Sequence, residues 1–399
     1  MTLAAAERAH RPAPAFLTQG FRPFFLAAGV WAAAALLLWL GMLTHGTALP
    51  SRFDPLAWHI HEMLFGFVMA AIGGFLLTAI PNWTKRLPVG GRPLALLASL
   101  WLLGRLACLV SAWVPAWLAT AADLSFPALL CAVAAREIVA GRNWRNLPMV
   151  VPAAVLGLAN LLMHLEAAGI VLGSRGLGWR LGLAAALALI SVVGGRIVPS
   201  FTRNWLVRRD EAHLPAARDG LDRAALGTLH AGLFGWAFAP GLPLFGLLLV
   251  LGAALNLWRL VRWRGYRTGA EPLLLVLHIG YFWLVLGSAL LGLSALGAGV
   301  PQSAAIHALT AGAIGTMILA VMTRATRGHT GRTLAADRGT TAIYLLVTVA
   351  AVCRVVAGFG AGPVMPLLIA SGGLWIAAFG LFVLAYGPML ILPRPARAA

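Results

Sequence analysis

Twelve times along this chain, a run of about 20 predominantly apolar residues gives way to a short segment rich in Gly, Pro or charge. No other sequence feature constrains the fold as tightly. Lipid offers no hydrogen bonds, so only a segment that pairs all of its own backbone groups can cross it. The runs lie near 22–43, 56–80, 94–113, 116–135, 148–169, 179–198, 222–239, 242–260, 272–297, 303–324, 340–358 and 365–391. Composition supports a lipid solvent: 60% of residues are hydrophobic and 11% charged, and mean hydropathy is +0.87. A soluble domain is about 45–50% apolar and about 25% charged, so the excess here would not fit inside a core. The sequence predicts an all-α polytopic membrane protein of about twelve transmembrane helices.

A net charge of +18 and a pI of 11.7 suit two kinds of protein, a nucleic-acid binder and a membrane protein obeying the positive-inside rule. Position decides between them. Arg8, Arg11 and Arg22 precede the first span; Lys85, Arg86 and Arg92 follow the second; Arg136, Arg142 and Arg145 follow the fourth. Arg203, Arg208, Arg209, Arg218 and Arg223 follow the sixth, Arg259, Arg262, Arg264 and Arg267 the eighth, and Arg324, Arg327, Arg332 and Arg338 the tenth. The alternate loops hold only Arg52, Arg175 and Arg180. The charges therefore serve membrane orientation rather than nucleic acid. Both termini are expected in the cytoplasm, which requires an even number of spans.

No apolar stretch precedes the first full-length span, so no cleavable signal peptide is expected. The chain reads as one transmembrane domain, residues 1–399. A basic cytoplasmic loop at 199–221 joins approximate halves 1–198 and 222–399. A faint repeat runs through it. The second, sixth and tenth spans close on Ile80-Pro81-Asn82-Trp83-Thr84, Val198-Pro199-Ser200-Phe201-Thr202 and Val321-Met322-Thr323-Arg324, a spacing that suggests three four-helix units.

Ionisable residues inside a span are costly, so each is a functional candidate. Glu62 and Glu166 are the acidic residues read there, too few for a carboxylate ladder of the sort that couples transport to protons or sodium. Histidines are more numerous: His59, His61, His164, His230, His278 and His307 lie in or at the edge of spans. Neutral imidazole ligates haem iron and copper and is cheaper to bury than a carboxylate. With Asp54-Pro55 starting the second span, most of these histidines fall in its outer half of the membrane. Arg105 and Arg354 lie midway to outer, where they can pair with haem propionates or with Glu166.

The bland readings stand beside these. His164 and His45 read as interfacial residues, His10 and His213 as solvated, and Cys108, Cys131 and Cys353 as small core residues. Trp31, Trp58, Trp83, Trp101 and Trp113 read as an aromatic belt. His59 and His61 point about 200° apart on a helix, so they serve different neighbours. Glu62, three residues beyond His59, is expected to orient that ring. Gly66, Gly73, Gly74, Gly312 and Gly315 permit close helix packing or a flat haem.

The stretch Trp58-His59-Ile60-His61-Glu62-Met63-Leu64-Phe65-Gly66-Phe67, continuing to Gly74-Phe75-Leu76-Leu77-Thr78-Ala79-Ile80-Pro81-Asn82-Trp83-Thr84, resembles the signature of the NnrS family. So do His307-Ala308-Leu309-Thr310-Ala311-Gly312-Ala313-Ile314-Gly315-Thr316-Met317, Val321-Met322-Thr323-Arg324 and Gly328-His329-Thr330-Gly331-Arg332. Phe21-Arg22-Pro23-Phe24-Phe25 and His278 ahead of Tyr281-Phe282-Trp283 fit as well, and the likeness covers essentially the whole chain. It implies a multi-pass protein of the bacterial inner membrane that contains haem and copper and acts in denitrification and in tolerance of nitric oxide or nitrosative stress. The haem-copper oxidase and nitric oxide reductase superfamily is similar in architecture only, since paired adjacent histidines are lacking here.

The resemblance assigns no ligands, so the candidates rest on depth and chemistry. They are His59 or His61 with His307 for one centre, His230 and His278 for another, and His329 on the cytoplasmic turn. Arg105 and Arg354 are candidate cofactor-binding cations, with Glu62 behind the ligands. Nitric oxide or a derived iron species is the expected partner at an open coordination position, and membrane lipid surrounds the whole. Two other readings stay open: a transporter or permease for a metal or nitrosylated species, and a non-catalytic haem sensor or scaffold.

Overall fold

A computed structural model describes residues 14–394, which form twelve long helices and no strand. Arg8, His10 and Arg11 lie outside the described residues. The helices are α1 (Phe21–His45), α2 (Pro55–Thr84), α3 (Gly91–Leu109), α4 (Ala116–Ala140), α5 (Val151–Ala167), α6 (Leu177–Val207), α7 (Gly220–Phe238), α8 (Pro243–Arg262), α9 (Pro272–Ala295), α10 (Gln302–His329), α11 (Arg338–Gly358) and α12 (Val364–Ile391). Eleven are long and apolar enough to cross a membrane. The twelfth, α7, is the least apolar because Asp222 and Arg223 sit in its first turn. The protein is a multi-pass membrane protein.

Local chemistry sets most boundaries. Asp54 caps α2 by accepting from the Ala57 amide at 2.9 Å, with Pro55 behind it as first residue. Asp219, Glu271 and Asp337 cap α7, α9 and α11 in the same way. Gly46 ends α1 at a φ of 65°, a left-handed conformation that costs Gly little. The Pro240–Pro243 segment breaks the chain between α7 and α8, as expected for two spans rather than one. The loop expected at 199–221 is shorter than that. α6 continues to Val207, because Pro199 is tolerated where the helix leaves the apolar layer. α10 likewise continues to His329.

Each helix packs on the next in sequence, and α12 returns to pack on α1, so the chain makes a closed circuit. Short connections make neighbours antiparallel. One end of the bundle collects most Arg and Lys and is called the basic end below; the other is the opposite end. α2, α6, α9 and α10 are the most deeply enclosed helices, and α6 touches both α2 and α10 at the centre. The repeat in the sequence has a local counterpart at the basic end. Thr84, Thr202 and Thr323 each donate a hydroxyl to the carbonyl four residues back, at 2.9, 2.9 and 2.8 Å.

α2 and α10 share a second feature. Each opens with a short α-helical stretch ending in His, Pro55–His61 and Gln302–His307. Each then widens into a π-helical segment, Glu62–Val68 and Ala308–Gly315, before returning to α-helix. A π segment inserts an extra residue into a turn and displaces backbone carbonyls from their usual donors, and it is frequent at functional sites. Here the Gly66 carbonyl accepts from Trp101 Nε1 at 3.0 Å.

Candidate metal centres

Two groups of side chains gather near the opposite end, one on each side of the first turns of α2. His59 and His61 point apart, as their spacing requires, and go to different groups.

The first group lies among α2, α3, α4 and α5. His61, Glu62, Arg105, Asp123 and Asn160 are all within 2% of complete burial, and His164 is nearly so. Helical spacing puts them together: Arg105 and Cys108 are three apart on α3, and Asn160 and His164 four apart on α5. Arg105 donates to Glu62 at 2.6 Å and pairs with Asp123. Asp123 also accepts from Asn160 Nδ2 at 2.8 Å and from His164 Nε2 at 3.0 Å. Trp31 Nε1 donates to Glu62 at 2.8 Å.

The protonation of His61 follows from its neighbours. Its Nδ1 faces Glu62 Oε1 at 3.0 Å, and its Nε2 faces Asn160 Oδ1 at 2.8 Å and Asp123 Oδ2 at 3.2 Å. All three are acceptors, since the Asn160 amide nitrogen is already committed to Asp123. Both ring nitrogens therefore donate, and the ring is a cation. Two cations, His61 and Arg105, then balance two carboxylates, Glu62 and Asp123, which makes burial of four charges tolerable. Ligand atoms of His61, Cys108, Asp123 and His164 also lie within 4.8 Å of one another, a nitrogen, sulfur and oxygen set able to hold a metal ion.

The second group lies between α2, α10 and α11, with α1 behind it. Trp39 stacks on the His59 ring, centroids 4.6 Å apart and planes 19° apart. His59 Nδ1 is buried with no hydrogen-bond partner. His307 Nδ1 lies 2.8 Å from the Ser303 carbonyl, which can only accept, so Nδ1 carries the proton and the Nε2 lone pair is left free. Arg354 reaches Ser303 Oγ at 3.2 Å and, among the described residues, pairs with no carboxylate. Arg354 lies near both imidazoles, and His59 and His307 lie near each other.

Several residues sit elsewhere than the sequence suggested. Glu62 orients His61, not His59, because the side chain one residue away in the wider π turn reaches it first. Arg105 is not available to propionates or to Glu166: Glu62 and Asp123 hold it, and Glu166 accepts from the Gly176 amide. His164 and Cys108 belong to the first group rather than to the interface or the plain core. Of the five tryptophans read as a belt, Trp31 and Trp101 instead donate inward, and Trp58 is 1% exposed.

His230 and His278 are not brought together. Ser191 and Thr202 spend their hydroxyl protons on Ala188 and Val198 carbonyls, so His230 Nε2 and His278 Nε2 donate to them, at 2.7 and 2.9 Å. Ser191 and Thr202 stand 11 residues apart on α6, about 16 Å along its axis. His329 packs at a tilt of 31° against Phe21 at the basic end, centroids 5.3 Å apart.

Asp123 and Asn160 were missed in the sequence. The available signal was Asp123 itself, a carboxylate in an apolar run one helix away from a buried Arg, and the Asn160-x-x-x-His164 pair on one helical face.

Residues 15–394 match the family described as NnrS protein. No curated protein matches the chain.

Proposed function

The chain belongs to the NnrS family, and from that premise we propose a haem- and copper-binding protein of the bacterial inner membrane, acting in the response to nitric oxide and nitrosative stress that accompanies denitrification. Both termini are assigned to the cytoplasm, because the described residues begin and end, at Pro14 and Arg394, on the basic end of the bundle.

One observation carries the haem assignment. His59 and His307 come from the two helices that share the π interruption, and each has a ring nitrogen not committed to a protein acceptor, Nδ1 of His59 and Nε2 of His307. A backbone carbonyl fixes the His307 tautomer with Nε2 free, which is how proteins prepare an imidazole for iron or copper. Arg354 supplies an uncompensated cation beside them, suited to a propionate. His59 and His307 would hold the group, and bound haem would supply an iron able to take nitric oxide or a derived iron species. Trp39 would keep the His59 ring aligned and shut off water on that side.

Copper is assigned to His61, Cys108, Asp123 and His164. Glu62 then accepts from His61 Nδ1 and leaves Nε2 for the metal, a carboxylate–histidine–metal arrangement. Metal would replace the second proton on His61 and the thiol proton of Cys108, so the net charge of the group is the same with a divalent ion as with two protons.

The test is optical and metal analysis of purified protein. The wild type should show a haem Soret band and copper. His59→Ala and His307→Ala should lose the Soret band and keep copper, while Cys108→Ser and His164→Ala should do the reverse. Wild-type protein with neither cofactor, or a full Soret band in both His59→Ala and His307→Ala, sinks the assignment.

A further inference from the structure

A cavity of about 420 Å³ lies at the basic end, far from both groups above, where α2, α6 and α10 converge beside α1 and α9. From His307 to Arg324 is 17 residues along α10, about 25 Å. Its body is apolar, with Phe25, Phe75 and Phe201 among the wall residues. Its polar wall is Thr78 and Asn82 from α2 and Arg324 and His329 from α10. Among the described residues no carboxylate lines it.

Arg324 is the unusual member. Its guanidinium lies 4.2 Å from the centroid of the Phe201 ring, and among the described residues it makes no ion pair and no hydrogen bond. The charge of Glu271 reaches it, but that carboxylate accepts from the Leu273 and Ala336 amides instead. The His329 ring nitrogens also have no hydrogen-bond partner among the described residues, although the ring is fixed against Phe21. A largely apolar, partly enclosed space with a few convergent polar groups is the usual form of a small-molecule site. The polar groups with capacity to spare here are the Arg324 guanidinium, the His329 imidazole and the Asn82 amide, which keeps one N–H beyond its 3.5 Å bond to the Thr78 carbonyl, so donors come from two helices; a phenylalanine-lined wall suits a flat ring.

We propose that this cavity, with Arg324 and Asn82 donating and the phenylalanines flanking, binds a quinone-class ligand: a flat apolar ring carrying acceptor oxygens. A quinone meets the donors with its carbonyls and the wall with its ring, and brings no full negative charge against three phenylalanines. The proposal goes beyond the metal assignments and stands without them. It absorbs the Val321-Met322-Thr323-Arg324 and Gly328-His329 motifs, which the metal centres leave unused.

The experiment is isothermal titration of full-length protein in detergent with menadione, a quinone without a tail, alongside Arg324→Gln and Gly328→Leu. Gly328 lines the cavity, and a Cβ there meets only Leu334 Cδ2 at 3.7 Å, so Leu fills space without displacing backbone. Wild-type protein should bind menadione saturably in the micromolar range, and both variants about tenfold or more weakly. Their Soret band should match that of the wild type. No saturable binding to wild type overturns the proposal, as does equal affinity in Gly328→Leu. Loss of the Soret band together with menadione binding in either variant also overturns it, by making the cavity a porphyrin site. If Arg324→Gln does not fold, as judged by size-exclusion elution, Gly328→Leu decides alone.

Discussion

The charge balance inside the α2–α5 group makes a quantitative prediction. Asp123→Asn keeps the shape of the side chain but leaves two cations, Arg105 and His61, facing Glu62 alone. Arg105→Met keeps most of the volume and leaves two carboxylates facing His61 alone. The side chains of Arg105 and Asp123 are 2% and 1% exposed, so solvent does not screen the loss. Breaking a buried ion pair by removing one partner costs about 3–5 kcal/mol. Two independent losses of that size would sum to about 6–10 kcal/mol. In the double variant, however, His61 and Glu62 remain as a matched pair, and exchange of a whole buried ion pair for uncharged groups of similar volume is often near neutral. The double variant should therefore cost no more than about 4 kcal/mol, a coupling of at least about 2 kcal/mol. The assay is reversible unfolding in mixed micelles by increasing sodium dodecyl sulfate, on protein stripped of metal by a chelator. Single costs that add to within about 0.5 kcal/mol would refute the balanced four-charge arrangement.

Four further outcomes are expected. Gly66→Ala should destabilise by about 1–3 kcal/mol in the same assay, because a Cβ there runs into Trp31 and sits 3.0 Å from Glu62 Oε2. Trp101→Phe removes the donor to the Gly66 carbonyl and should cost about 1 kcal/mol; no effect would mean that the π segment holds without it. Arg354→Gln should keep the fold but retain less haem on washing, read from the Soret band per mole of protein. At Asp337, partial burial raises the carboxyl pKa, but the Thr340 amide and hydroxyl and the Arg327 guanidinium outweigh it and hold the group below the usual range. A depressed folded pKa stabilises above the unfolded value of about 3.9 and loses that contribution as pH falls through the folded value. The thermal stability advantage of wild type over Asp337→Asn should accordingly be steady near pH 6 and shrink below about pH 4.

The span boundaries were legible because each rests on local chemistry. Apolar length, an Asp or Glu cap and a Pro or Gly break are all written within a few residues of one another. Where the prediction was short, at 199–207 and 325–329, the helix continued past the apolar layer into polar sequence that periodicity does not mark. Height along the bundle was legible too, since it follows from position along a helix. Partner choice was not. His59 and His61 have the same depth and nearly the same neighbours in sequence, yet one joins His307 of α10 and the other joins His164 of α5.

Sequence alone determined the solvent, the number of long helices, their alternating direction and the end of the bundle that is basic, because each depends on runs and charges counted along one strand of residues. Tertiary structure alone decided which buried charges cancel and which are left over. Arg105 and Arg354 look alike in the chain, each a lone cation in an apolar helix. Packing gives Arg105 two carboxylates from α2 and α4, and gives Arg354 a serine hydroxyl with two imidazoles nearby. That difference arises from contacts between helices far apart in sequence, and it separates a self-neutralised network from a site with charge and lone pairs to spare.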